Sequence, residues 1–499
     1  MAKKPLDDPK TGIHRAKTWE LGFYALNNTS TNLYMFAFMS IAYFLNGFAG
    51  VTFVVAGSIA TILRMWDGVT DPFIGVLIDK TSTKFGKNRP FLILGNIILA
   101  IFSGIIFWVM PILPMAARFP FYIVIYMIYI IGYTFQCCVT KSAQTCMTND
   151  PEQRPVFSMF NTVFNALLGM AFPMITINYL VPKYTVGPDP MDAAYYQVGY
   201  YHELWLIVVV LSAIMAILAC IGISRKDNPK YFGTGVAQKL GFKDYWDVMK
   251  NNRAIQMMIV ATCTDKVANS MKSNTTVMLC LFAIICGNYA NQSAISAMMT
   301  IPTILVSLAL YQFVARKMGL KTALLTSTYG GIIAATLMGC LLIFGDPTQL
   351  GVATGNWNLF TVAFLALWLL WNACTGVGSD LGITMSADCA DYEVYRTGKY
   401  VPGLMGTLFS FIDKMISSLA STFVALLFAA IGFNEVLPTQ NTPYDDKIFW
   451  VTIICFIVAP LIGWCFNIVA MKFYPLTKEK MEEVQIAIAD IKRQATAAK

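Results

Sequence analysis

The stretch Arg64-Met-Trp-Asp67-Gly-Val-Thr-Asp71-Pro decides how the chain folds, because it puts charged residues inside an apolar run over residues 52–78. A run of this length can cross the hydrocarbon core of a membrane as one helix. In such a helix, carboxylates four residues apart share a face, about 40° apart around the axis and about 6 Å along it. Charges at that depth are costly and mark a polar path or an ion site.

The composition of the whole chain agrees with a location in lipid. Of its 499 residues, 57% are hydrophobic and 13% charged, whereas soluble proteins carry about a quarter charged residues. Apolar runs of spanning length lie near residues 22–46, 52–78, 91–112, 119–143, 157–181, 203–223, 254–284, 292–315, 321–345, 357–384, 402–432 and 447–473. The sequence therefore predicts an all-α membrane protein of twelve transmembrane helices.

A polar segment in the middle of the chain divides these helices into two bundles of six. The predicted parts are an N-terminal bundle over 1–223, a cytoplasmic linker over 224–253, a C-terminal bundle over 254–475 and a cytoplasmic tail over 476–499. Of the 36 Lys and Arg, 28 fall in segments on the N-terminal side of the membrane and three in the opposite loops. The positive-inside rule then places both termini in the cytoplasm of a cell whose inner membrane holds the protein.

The carboxylates of the second helix predict a cation site. Asp67 and Asp71, with the hydroxyl of Thr70 between them, offer hard oxygen ligands for Na⁺ as a bound metal, or a shared site for a proton. The alternative is an ion pair from Arg64 to either carboxylate that only closes two helices. The coupling ion, Na⁺ or H⁺, is the one bound species expected besides the solute, and no other cofactor is predicted.

Polar side chains on several other helices predict a cavity between the two bundles. Amide and hydroxyl groups recognise sugar hydroxyls, but they also serve as ordinary contacts between helices. Charged groups at this depth line a water-filled path or neutralise one another, as Asp265 and Lys266 could. The candidate substrate-binding residues are Asn28, Thr29, Arg64, Lys141, Asn269, Lys272, Asp380 and Lys414.

Two six-helix halves around a polar cavity favour a secondary transporter that works by alternating access. A channel is disfavoured because no filter repeat such as TVGYG occurs. An enzyme is disfavoured because the two histidines, His14 and His202, lie in no catalytic or metal-binding motif. No phosphate-binding GxxxxGK[ST] loop occurs, which argues against ATP drive. The positive charge is dispersed between apolar runs, so lipid is an expected partner and nucleic acid is not.

The second helix and its following loop resemble those of the glycoside-pentoside-hexuronide:cation symporters, a family of the major facilitator fold that includes the melibiose carrier. The matching stretches are Trp66 to Pro72 with Gly75, Asp79 to Pro90, Met147 to Arg154, Ala387 to Glu393 with Arg396 to Gly398, and Lys414. These stretches span both halves of the chain. The resemblance implies that Asp67 and Asp71 bind the cation and that Thr134 lies near the same ion. It also implies that Lys414 corresponds to a residue linked to both the sugar site and the cation site.

The chain departs from the melibiose carrier where that protein binds its sugar. Thr29 stands where the melibiose carrier has an aspartate on its first helix, and Cys137 and Lys141 stand where it has an aspartate and a tryptophan. The lost acid and the added lysine favour an anionic sugar, such as a uronide or sulfo-sugar. A neutral glycoside or a lipid-type solute on the same fold is the alternative. We expect a monomer that carries a small sugar-like molecule.

Overall fold

The computed structural model describes residues 6–8, 13–81, 83–148, 153–228, 250–397 and 402–481, with Glu483, Val484 and Ala487. The regular secondary structure of this part is helical except for the two-residue strands β1 (Asp7–Asp8) and β2 (Ile13–His14), which pair antiparallel. Most of the predicted linker and the end of the predicted tail lie outside it.

Two compact units make up the chain. The first contains Met1–Val236 and Phe433–Thr442, and the second contains Ala237–Gly432 and Pro443–Lys499. The short segment Phe433–Thr442 belongs to the first unit through its hydrogen bonds, such as the one that Tyr43 Oη donates to the carbonyl of Pro438 at 2.8 Å. The domain boundaries drawn from the sequence stay predictions.

The first unit contains nine α-helices within its described residues. These are α1 (Thr18–Ala37), α2 (Ile41–Ala49), α3 (Phe53–Lys80), α4 (Arg89–Gly104), α5 (Met115–Ser142), α6 (Gln144–Met147), α7 (Arg154–Ile175), α8 (Val181–Tyr184) and α9 (Val198–Ile223). Turns of π-helix at Ile105–Val109 and Thr176–Leu180 continue α4 and α7. Short 3₁₀ turns lie at Phe38–Ser40, Met110–Ile112, Pro190–Asp192 and Ala194–Tyr196.

The described part of the second unit contains eight more α-helices. These are α10 (Arg253–Lys272), α11 (Thr275–Leu279), α12 (Ala290–Met318), α13 (Leu320–Phe344), α14 (Leu359–Thr397), α15 (Pro402–Ala430), α16 (Asp446–Ile453) and α17 (Ala459–Phe473). Turns of π-helix follow α11 at Cys280–Ile285 and join α16 to α17 at Ile454–Val458, and a 3₁₀ turn lies at Pro347–Gln349.

Ten helical stretches of the described residues are long and apolar enough to cross a membrane. The predicted seventh and eleventh runs are not among them. The seventh is interrupted after Lys272, because the side chain of Asn274 caps a new helix by accepting a hydrogen bond from the Thr276 amide. The apolar part of α15 is short and begins at Lys414. The count of twelve and the cytoplasmic termini stay predictions.

Buried polar groups and small residues position these helices. Asp227, which follows α9, is buried, and its carboxylate accepts hydrogen bonds from the backbone amides of Lys87, Asn88 and Arg89 at 2.9–3.1 Å. Those amides lie at the start of α4, where a helix has no internal acceptors for them and favours a negative charge. Gly222 brings α9 close to α1, since a Cβ there would lie 2.8 Å from the Glu20 carbonyl oxygen.

Candidate cation and substrate sites

A buried carboxylate–hydroxyl cluster connects α3 and α5 in the first unit. Asp67 is 1% exposed, and Thr134 Oγ1 donates a hydrogen bond to its Oδ1 at 3.0 Å. The hydroxyls of Thr70 and Thr134 lie 3.3 Å apart. Trp66 holds the same two helices together, because its Nε1 donates to the Met127 carbonyl at 3.2 Å. The structure therefore brings three of the four predicted cation-binding residues into contact.

Arg64 completes this cluster from its own helix. Its Nη1 lies 3.6 Å from Asp67 Oδ2, and its guanidinium lies over the ring of Tyr133, 6.0 Å from the ring centre. The ion pair considered as an alternative is present, but it joins residues of one helix and closes no helix pair. The contact between α3 and α5 is made by the other carboxylate oxygen, Asp67 Oδ1, which accepts the hydrogen bond from Thr134.

Asp71, the fourth predicted cation ligand, lies one turn further along α3. Its side chain is half-buried, with Oδ1 inside the protein. Together with Asp67 it gives α3 two carboxylates on one side of the helix. The binding of a cation by Asp67 and Asp71 stays a prediction.

The predicted sugar ligands on α1 take part in contacts between helices. Asn28 donates from Nδ2 to Asn161 Oδ1 on α7 at 2.8 Å, and one turn later Asn32 donates to Asn165 Oδ1 at 2.9 Å. Thr29 is buried, and its hydroxyl has no hydrogen-bond partner within the described residues. The amides of Asn28 and Asn32 thus join α1 to α7. They act as contacts between helices, which was the alternative to sugar binding.

Lys272 is the most deeply buried lysine among the predicted substrate ligands whose side chains the structure describes. It lies at the end of α10, is 3% exposed and donates from Nζ to Asn372 Oδ1 on α14 at 3.1 Å. The ammonium lies 4.4 Å from the ring centre of Trp371 and 5.6 Å from that of Trp368. Aromatic faces at these distances stabilise a cation that has left water.

The α14 side of this site presents fixed polar groups. Asn372 Nδ2 donates to the carbonyl of Trp368 at 2.8 Å, which turns its Oδ1 towards Lys272. Trp371 is fully buried, and its Nε1 has no acceptor among the described residues. Trp371 and Asn372 were not among the candidate residues drawn from the sequence. A tryptophan–asparagine pair within a spanning helix was the signal that could have selected them.

Two of the other predicted substrate ligands are less buried than Lys272. Asn269, on α10, is exposed, and Lys414, on α15, is half-buried. The side chains of Lys141 and Asp380 lie outside the part of the structure that is described.

Asp265 does not pair with Lys266, contrary to the alternative raised from the sequence. Asn467 on α17 donates from Nδ2 to Asp265 Oδ2 at 2.5 Å, and Lys266 is exposed. Asn467 was missed, although it is an amide within the last apolar run of the sequence, where a polar side chain needs a partner.

Comparison with known proteins places these sites in context. A family model described as MFS/sugar transport protein matches residues 22–478. The glucuronide carrier protein homolog of Escherichia coli (strain K12) is 24% identical over 493 residues, which cover 94% of this chain and 95% of that protein. The isoprimeverose transporter of Lactiplantibacillus pentosus is 22% identical over 482 residues, covering 95% and 92%. A crystal structure of the nucleoside transporter NupG superposes with a TM-score of 0.58 at 14% identity, over 92% of this chain and 99% of that one.

Proposed function

We propose that this chain, which belongs to the MFS/sugar transport protein family, carries a sugar or glycoside across the inner membrane together with a cation, by alternating access. It is a multi-pass membrane transporter and not an enzyme, as its family and the ten apolar helices of its described residues indicate. The observation that carries the coupling is the buried Asp67 carboxylate, which accepts a hydrogen bond from the Thr134 hydroxyl on α5, beside the Thr70 hydroxyl on α3.

The hydroxyls of this cluster favour Na⁺ over H⁺ as the coupling ion. The Thr134 proton has a second acceptor in the Ile130 carbonyl at 3.0 Å, and the Thr70 proton has the Asp67 carbonyl at 3.0 Å. Each hydroxyl can therefore direct its proton to the backbone and its lone pair towards a cation. Hard cations take several oxygen ligands of this kind, whereas a proton on a carboxylate needs none.

Arg64 suits a site that is alternately filled and emptied. A carboxylate buried without a cation is costly, and the guanidinium 3.6 Å from Asp67 Oδ2 supplies a positive charge in the absence of the ion. Entry of Na⁺ would compete with this ion pair. The pair keeps the site stable when empty and lowers the affinity for the ion, which assists its release.

The surroundings of Lys272 support an anionic sugar as the solute. A protonated amine has three N–H donors, yet Lys272 has one side-chain acceptor, Asn372 Oδ1, and it forms no ion pair with any described residue. The buried Nε1 of Trp371 is a second donor without an acceptor in the described part of the chain. A uronate carboxylate or a sulfonate would supply these acceptors in charge-assisted hydrogen bonds.

Transport in membrane vesicles tests this proposal. Radiolabelled methyl glycosides and the corresponding uronates are offered with an inward Na⁺ gradient, an inward H⁺ gradient, or neither. We expect Na⁺-driven accumulation of a uronate above equilibrium. If only a neutral glycoside accumulates, the solute is not an anionic sugar. If accumulation follows only the H⁺ gradient, the coupling ion is not Na⁺. Equal uptake of every sugar without any gradient would overturn symport itself.

A further inference from the structure

A carboxyl–amide pair lies in the second unit, where α10 and α17 approach closely. A Cβ at Gly463, one turn before Asn467, would lie 2.9 Å from both the Thr264 carbonyl oxygen and the Ala268 Cβ. This close approach brings Asn467, which is fully buried, into hydrogen-bond contact with Asp265. The pair lies outside the cation cluster of the first unit and outside the Lys272 site.

The Asp265–Asn467 pair lacks a hydrogen-bond donor if the Asp265 carboxyl group is ionised. Asn467 Nδ2 donates to Asp265 Oδ2, but Asp265 Oδ1 and Asn467 Oδ1 are both buried and accept no hydrogen bond from any described residue. Both atoms are acceptors, so neither can satisfy the other, and buried acceptors without donors are destabilising. A proton on Asp265 Oδ1 turns one of them into a donor. A carboxylic acid and a primary amide can then exchange two reciprocal hydrogen bonds.

The charged groups on the neighbouring helices do not neutralise Asp265. Within the described part of the chain, none of them forms an ion pair with it. Lys272 on the same helix is bound to Asn372, and Glu393 on α14 is paired with Arg396 at 2.8 Å. Among the side chains that the structure describes, the other charged groups on α10 and on the helices packed against it are Arg253, Lys266, Asp388, Lys414 and Lys472. A buried carboxylate without a cationic partner favours its protonated form.

We propose that Asp265 and Asn467 form a proton-binding site, in which Asp265 holds a proton at neutral pH and Asn467 accepts a hydrogen bond from it. The proton enters from water, adds to Oδ1 and leaves to water again when the pair separates, so that one O–H bond forms and one breaks. This site goes beyond the proposed symport and does not depend on it. The bound species is a proton and the cation cluster is not involved.

Infrared spectroscopy of the full chain in lipid vesicles tests the site without any solute. We expect the carbonyl band of a protonated carboxylic acid at pH 7, and its loss in Asp265→Asn, whose two amides can still pair. In Asn467→Ala the band should shift to higher frequency, because its carbonyl loses a hydrogen-bond donor. This second variant keeps the test decisive if the first fails to fold.

Two control variants distinguish the Asp265 site from other carboxylates of the protein and from the proposed symport. Glu203, whose carboxylate is paired with Lys183 at 2.7 Å, is ionised, so Glu203→Gln should leave the band unchanged. Asp67→Asn should also leave the Asp265 band in place, even where it abolishes coupled uptake. The proposal is overturned if no such band exists at pH 7, or if the band is the same in Asp265→Asn and in Asn467→Ala as in the unaltered protein.

Discussion

Thr134 on α5 donates a hydrogen bond to the buried Asp67 carboxylate on α3 at 3.0 Å, across 67 residues of sequence. Neither residue could hold a cation alone, because a single carboxylate leaves most of the coordination shell of a hard ion empty. Their contact places a neutral oxygen from a second helix beside the charged one. A movement between the two helices would therefore change the number of ligands and with it the affinity for the ion.

The first prediction concerns the charge of this cluster. Asp67→Asn and Asp71→Asn should each leave the protein folded in membranes and abolish accumulation of the solute against its gradient, because the ion loses a charged ligand. Vesicle uptake with and without an imposed Na⁺ gradient measures this. If both variants accumulate solute to the level of the unaltered protein, the carboxylates do not bind the coupling ion.

A second prediction concerns the hydroxyl of the cluster. Thr134→Val removes one oxygen and keeps the shape of the side chain, so the Na⁺ concentration for half-maximal uptake should rise about tenfold, as expected for one interaction with a charged group. Thr176→Val is the matched control, since among the described residues that buried hydroxyl donates only to the Phe172 carbonyl of its own helix. Equal Na⁺ dependence in the two variants would remove Thr134 from the site.

Lys272 should discriminate between anionic and neutral solutes. Lys272→Met keeps the apolar chain between the tryptophan rings and removes the charge, so uronates should lose about tenfold or more in affinity while neutral glycosides change little. Competition against a bound labelled sugar measures both. Lys266→Met, on the same helix but exposed, should behave like the unaltered protein. Parallel losses for uronates and glycosides would indicate a structural role for Lys272.

Membrane orientation can be tested by labelling single cysteines in a chain from which the twelve native cysteines have been removed. Lys84, in the basic connector after α3, is exposed, and Val186, after α8, is 75% exposed. In intact cells an impermeant thiol reagent should label Val186→Cys and leave Lys84→Cys unlabelled until the cells are opened. The reverse pattern would place the termini outside the cytoplasm.

The last prediction concerns stability. Asp227→Ala should lower the free energy of unfolding by about 2 kcal/mol or more, because three backbone amides at the start of α4 lose their charged acceptor. Thermal unfolding in detergent measures the change. Asp189→Ala, at an exposed position in a loop of the same unit, is the control and should unfold close to the temperature of the unaltered protein.

The sequence by itself determined that this protein lies in a lipid membrane, that it is helical, and what its general function is. Long apolar runs require helices in lipid, because every backbone polar group must be satisfied within the segment. The motif around Asp67 and Asp71 predicted a sugar symporter of the major facilitator type. The matching sugar-transport family and the fold that the chain shares with NupG agree with that prediction.

Only the tertiary structure decided which polar groups meet. Asn28 was predicted as a sugar ligand and binds Asn161 on α7, Lys272 meets Asn372 100 residues away, and Asp265 meets Asn467 202 residues away. Helical periodicity shows which residues share a face of one helix. The partner depends on how each helix is rotated and where it crosses its neighbour, and close contacts such as the one at Gly463 set that geometry through side-chain packing.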